Sequence, residues 1–284
     1  MPSSASSLSK NKMAELTPID IRRLASLLDD PDEVVAIGAM AELLNREGEL
    51  GELPAELQES TSPLMRRRVH QLQSALTMIR RRRRISALLR SDKVNFLDAL
   101  VQIHLQWFDN DSEVSLYKKI GGFCQELKHH SCGTLEEIGD AFAACGVTAT
   151  PVTTLKAEQL CLGVMLDEKC GISPLWCGMI CELYPTLKLK TLRHQGRFAV
   201  AAEDFILIPE NNWELSPLPG KKEIEFWEPQ ALLRLAVMTL FSAAVNSDSF
   251  RYILTIAQAF TGKETAEPLG TLPYPYNPEL EELS

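Results

Sequence analysis

No run of about 18 apolar residues occurs in the 284-residue chain, so a membrane-crossing helix is not expected. Residues 1–13 are Ser-rich and lack an apolar h-region, which argues against a secretory signal and for a disordered tail. There is no C-x-x-C pair. The seven cysteines, at 124, 132, 145, 161, 170, 177 and 181, are odd in number and irregular in spacing, which excludes a tidy disulfide framework and suggests reduced thiols in a cytoplasmic protein. His129, His130 and Cys132 are too close together for a Cys/His zinc site and have no second pair of ligands. Neither a metal ion nor a cofactor is therefore expected. Positive charge is also short overall: the net charge is −9, which argues against a protein that coats nucleic acid with its whole surface.

What is present is an ordinary globular composition, 45% apolar and 24% charged, enough to bury a core. Helical signals dominate. Thr17 and Pro18 open a short helix over 18–28, with Thr17 as its N-cap. The loop Asp29-Asp30-Pro31-Asp32 then caps a helix over 33–44 with Val34, Ile37, Ala41 and Leu44 on one face. Thr61-Ser62-Pro63 starts a long helix to about Leu89 with an apolar stripe of Leu64, Val69, Leu72, Leu76, Ile79 and Ile85. Further helices are expected over 93–107, capped by Asp92, and from Asp111-Ser112-Glu113 through Cys124. Another starts at Thr134, where Glu137 completes a capping-box pattern. Two more are expected over 155–169, closed by Gly171, and over 173–183.

The long helix carries a basic patch: Arg66, Arg67 and Arg68, then Arg80, Arg81, Arg82, Arg83 and Arg84. Five consecutive arginines cover every side of a helix. They are expected to be mostly solvated, pairing with acidic surface or meeting a nucleic acid or acidic partner.

Past Pro185 the period changes to alternation. Leu187, Leu189 and Thr191 read as one strand, 197–201 and 205–208 as two more, with Glu203-Asp204 as a tight turn. Residues 209–222 read as a Pro/Asn/Gly-rich loop, and 228–245 and 249–260 as two final helices. A small antiparallel sheet packed on the helix over 173–183 is the expected outcome.

Two resemblances follow from these segments. LLDDPDEVVAIGAMAELL resembles a HEAT-type helical hairpin, although one copy does not make a solenoid. FLDALVQIHLQWFDNDSEVSLYKKIGGFCQEL, LEEIGDAFAACGV, LCLGVMLDEKCGISPLWCGMI and HQGRFAVAAEDFILIPENN resemble, in that order, the segments of the SirB-type transglutaminase-like core family. The resemblance implies an α+β, mostly α-helical fold with a papain-like cysteine-protease-type core and a small antiparallel sheet, preceded by a helical module. The domains it implies are a tail over 1–16, a HEAT-like module over 17–85, the transglutaminase-like domain with C-terminal helices over 86–262, and an acidic Pro-rich tail over 263–284.

Active relatives of that superfamily use a Cys at a helix N-terminus with His and Asp on adjacent strands. Here the His position reads Gly196-Arg197-Phe198, and arginine cannot act as a base near neutral pH. The Asp position reads Ile208-Pro209. The nucleophile position holds Ser173, as it often does in the SirB-type family, with Cys177 one turn further on. The leading expectation is thus a non-catalytic scaffold or binding protein engaging a protein partner. Its former cleft would be marked by Cys177, Arg197, Trp176 and Asn211, with Arg197 suited to an anionic ligand. One alternative is a cysteine-dependent hydrolase or acyltransferase with a rearranged Cys177, His194, Asp204 triad. In that case His194, three residues before the matched position, would point to the opposite face of a strand. The other alternative is a nucleic-acid or acidic-protein binder acting through the arginine patch.

Overall fold

A computed structural model describes residues 18–46, 59–91, 93–130, 132–152, 156–246 and 250–261. Thr17, Asp92, Leu155 and both terminal tails of the sequence reading lie outside the described residues. The fold is mostly helical with two small sheets. It divides into two compact units, one ending at Thr77 and the other beginning at Met78, so the division falls inside the long helix. Among the described residues no helix is long and apolar enough to cross a membrane.

The first unit holds α1 (Pro18–Ser26), α2 (Glu33–Asn45) and the start of α3 (Pro63–Arg90). Asp32 caps α2, its carboxylate accepting from the Val34 amide at 2.9 Å. The buried face of α2 is Ala36, Ala39, Met40, Leu43 and Leu44. It is rotated from the predicted one, leaving Val34 78% exposed.

The second unit is built around α4 (Phe96–Trp107). Ten of its twelve residues are buried, so this helix is enclosed on all sides rather than amphipathic. It begins at Asn95, which caps it through the Asp98 amide, not at the expected Lys93. α5 (Glu113–Leu127) and α6 (Leu135–Ala144) follow, capped by Ser112 and by the Thr134–Glu137 capping box. The next segment is a 3-10 turn (Ala157–Leu160) and a short α7 (Leu162–Glu168) in place of one continuous helix. Lys169, at φ 51°, ends α7 in the left-handed conformation, so the helix is not closed by Gly171. Gly171 instead lies in β2 (Cys170–Ile172), which pairs in parallel with β1 (Thr148–Thr150).

Then α8 (Ser173–Leu183) packs beneath a five-stranded antiparallel sheet of order β6-β5-β4-β3-β7. Its strands are β3 (Lys190–His194), β4 (Arg197–Ala202), β5 (Phe205–Ile208), β6 (Glu214–Pro217) and β7 (Ile224–Trp227). Of these, β6 replaces part of the predicted loop and β7 lies in a stretch between that loop and the next helix to which the sequence reading gave no element. Leu187 sits in a 3-10 turn before the first strand of this sheet. Phe198, Val200 and Leu207 face the helical core, while Leu192, Ala199, Ala201 and Ile206 form a second cluster on the other face, closed by Ile208, Leu218 and Ile224. α9 (Pro229–Asn246) and α10 (Phe250–Thr261) complete the unit, with Tyr252 stacked on Trp107 at 4.2 Å.

One feature of α5 costs stability without a packing reason. Gly121 and Gly122 lie mid-helix, exposed, with open space where a Cβ would stand. Gly121→Ala is expected to raise unfolding free energy by about 0.5–1 kcal/mol through backbone entropy. Urea denaturation checks this; a lowered midpoint would mean that the exposed glycines are held by something other than helix energetics.

Candidate functional site

The site begins at the start of α8. Lys169 turns the chain in the left-handed region, β2 carries it three residues, and Ser173-Pro174 opens the helix. Proline suits that position because its missing N–H would have had no helical partner. Ser173 is fully buried, and its hydroxyl donates to Glu210 Oε1 at 2.5 Å. Glu210 lies in the 3-10 turn Pro209–Asn211 that follows β5. Beyond it Asn212 and Trp213 both take positive φ. The buried Trp213 indole donates to the Val147 carbonyl at 2.7 Å and ties this corner to the end of α6.

On the far side of Glu210, Arg197 Nε stands 4.0 Å from Oε2, and Arg197 Nη1 donates to Asn211 Oδ1 at 2.9 Å. Asn211 in turn donates to Glu214 at 3.3 Å. Ser173, Glu210, Arg197, Asn211 and Glu214 thus form one continuous polar chain across the helix N-terminus. A carboxylate there is favoured by the unpaired amides of the first turn.

Cys177 lies one turn deeper and is completely buried. Burial, reinforced by the neighbouring Cys181 thiol and the Glu210 carboxylate, pushes its thiol well above the ordinary range, which leaves no thiolate near neutrality. Trp176, expected in a cleft, is a core residue packed against Phe123 and Phe142.

His194 and Arg197 occupy the same face, contrary to the parity expectation. They are directly paired across a two-residue hairpin, Gln195-Gly196, with both φ positive. The chain reverses between them, so counting along a single strand does not apply. That shared face is turned away from α8. Thr191 meets Cys181 at 3.5 Å, and His194, an odd number of residues on, lies with Leu192 on the other side. Its ring Nδ1 is 3.0 Å from the Glu223 carbonyl. Asp204 is exposed at the opposite end of β4, about 17 Å along a six-residue strand. Cys177, His194 and Asp204 are not brought together.

The arginines of the basic patch bond to other parts of the protein, although most of them keep an exposed side chain. Arg66 donates to the Ser60 carbonyl at 2.6 Å, Arg68 to the Leu28 and Asp30 carbonyls, and Arg81 to those of Asp109 and Asp111. Arg82 is buried, donating to Gln258 at 2.5 Å and Thr255 at 2.9 Å. Arg84 grips Glu113 with one nitrogen on both oxygens. Arg67, Arg80 and Arg83 have partners too. Arg80, Arg83 and Arg84 are exposed and Arg81 is half-buried, so the expectation that Arg80 to Arg84 are mostly solvated fails only at Arg82. The stripe containing Met78, Ile85 and Leu89 passes through position 82, four residues from Met78. The cavity beside Arg81 and Arg82 measures about 10 Å³, room for a single water and not for a phosphate.

Sequence reasoning placed the orienting carboxylate at Ile208 and found it missing. A carboxylate does sit two residues on, at Glu210, in reach of Ser173. The available signal was Pro209-Glu210-Asn211 directly after an apolar strand that packs on α8. Among the described residues no group of His, Cys, Asp and Glu is arranged to hold a metal ion. No family model matches the chain, and neither a curated protein nor a solved structure does.

Proposed function

We propose that this chain is a non-catalytic binding protein: a transglutaminase-like core of the SirB type, closed at its nucleophile position and joined to a HEAT-like helical module. The observation that carries the reading is the bond from buried Ser173 to Glu210. A nucleophile needs a partner that takes and returns a proton near the operating pH. Glu210, the group that Ser173 bonds, has its other oxygen 4.0 Å from Arg197, and no histidine stands at this corner in the role of the family's base. Substrate has no route to an oxygen that is fully enclosed. Arg197, with its side chain 55% exposed, is the group best placed at this corner to meet a carboxylate of a protein partner.

A second reading, serine-based acyl transfer, has the same hydrogen bond in its favour, because a carboxylate stands within proton-transfer reach of a hydroxyl at a helix N-terminus. The arginine patch supports nucleic-acid binding less well, since its guanidinium groups are engaged within the protein.

The test is native alkylation with iodoacetamide at neutral pH, read by peptide mass spectrometry, beside a fluorophosphonate probe for Ser173. Cys177 is expected to remain unmodified while the half-exposed Cys124, Cys132 and Cys170 react. Stoichiometric labelling of Cys177 or Ser173 in the folded protein would put an enzyme in place of this reading.

A further inference from the structure

His104 is buried on the central helix α4, with only 1% of its surface accessible, and both ring nitrogens are occupied. Nδ1 accepts from the Gly163 amide at 3.2 Å, and Nε2 lies 2.8 Å from Asp111 Oδ2. An amide donor fixes the tautomer: Nδ1 carries no proton, so Nε2 carries it and donates to Asp111. Gly163 is the second residue of α7, whose own N-cap, Cys161, makes no side-chain cap bond. The imidazole supplies from another helix the acceptor that an N-cap side chain normally provides. The contact needs glycine, since a Cβ at 163 would stand 2.7 Å from His104 Cε1.

We propose that His104 is a cap on α7 supplied in trans and released by protonation, a proton-operated latch between α4 and the segment that leads to the Ser173 corner. An imidazolium carries a hydrogen on each nitrogen, so its Nδ1–H would confront the Gly163 N–H and the positive end of the α7 backbone. The bond that holds α7 is therefore incompatible with the charged ring.

The groups facing His104 decide the direction. Burial disfavours the imidazolium most strongly. Asp111 opposes this by hydrogen bond and charge, Lys119 adds to the burial effect, and Asp167 opposes it weakly, the net result being a pKa below the ordinary value. Asp111 is half exposed, so solvent screens its charge. Lys119 and Asp167 are ion-paired to one another, and the Phe108 ring packs at 5.0 Å. A depressed pKa means that the proton prefers the open form. The latch is intact above the unfolded histidine pKa of about 6.5 and weakens as pH falls below it.

The experiment follows the His104 ring by NMR while deuterium exchange is measured on the peptide spanning 162–168, at pH 7.5 and 5.0 and corrected for intrinsic rates. Protection of the Gly163 amide is expected to fall at least tenfold in the wild type at pH 5.0. It should change little in His104→Gln, which offers an amide oxygen and an N–H but no titration. Should that variant fail to fold, Asp111→Asn is expected to move the opening midpoint to lower pH. Protection that survives protonation of His104, equal acid loss in His104→Gln, or an unmoved midpoint in Asp111→Asn would each overturn the latch.

Discussion

Gly178→Ala is expected to destabilise the protein by about 1–3 kcal/mol, an overpacking cost that outweighs the gain of up to about 1 kcal/mol from replacing glycine in a helix. A Cβ at 178 would stand 2.3 Å from Phe96 Cζ and 2.4 Å from Cε1. Phe96 is fully buried as the first residue of α4, so its ring has nowhere to swing, and α8 would have to back away from the central helix. That displacement would carry the Ser173–Glu210 corner with it. Urea denaturation gives the cost, and a cycle with Phe96→Leu tests the cause. Phe96→Leu alone leaves a void, yet in the presence of Gly178→Ala it removes the clash. The double variant should therefore lose less than the sum of the singles by at least about 1 kcal/mol. Additive losses would assign the defect elsewhere, and a neutral Gly178→Ala would show that α8 tolerates a wider approach.

The same pair illustrates what a sequence discloses and what it withholds. Local signals were legible because their physics is local. Asp32, Ser112 and the Thr134–Glu137 box each satisfy amides within three residues of themselves, and alternation after Pro185 marks a change of backbone period. The strand at 214–217 was read as part of a loop, and that at 224–227 was left unassigned, because Pro, Asn, Gly and Lys surround two four-residue stretches. The two strands lie on opposite edges of the sheet and pair with β5 and β3, which no local pattern reveals. The candidate site fared similarly. Arg197 and Asn211 were identified, and they are bonded. Ser173 was recognised as a position and passed over as a participant. Glu210 was missed because its role depends on a 3-10 turn bringing it under α8. Cys177, His194 and Asp204 follow one another in a suitable chain order. Chain order carries no information on which face of a sheet each side chain takes, and the hairpin at Gln195-Gly196 decided that.

Arg82 carries the second large effect, and it is the residue whose burial composition most strongly conceals. Five arginines in sequence look like solvated charge, yet a helix that presents Met78, Ile85 and Leu89 to the core must also present position 82. Its guanidinium reaches α10, bonding Gln258 and Thr255, where neutral oxygens give charge-assisted hydrogen bonds rather than simple ion pairs. Arg82→Ala is expected to cost about 2–5 kcal/mol, combining the lost volume of a long buried stem with acceptors left enclosed and unanswered. Arg82→Met should recover much of that loss by refilling the space. Arg82→Lys should fall between wild type and alanine, because one ammonium on a flexible stem does not reproduce a planar fork that meets two partners at once. Chemical denaturation ranks the three variants, and exchange of the α10 amides locates the damage. By contrast Arg66→Ala, whose guanidinium serves exposed carbonyls of a turn, should stay within about 0.5 kcal/mol of wild type. If Arg82→Ala behaved like Arg66→Ala, Arg82 would be no more structural than its exposed neighbours Arg80, Arg83 and Arg84, and the polyanion-binding reading would gain a fourth available charge.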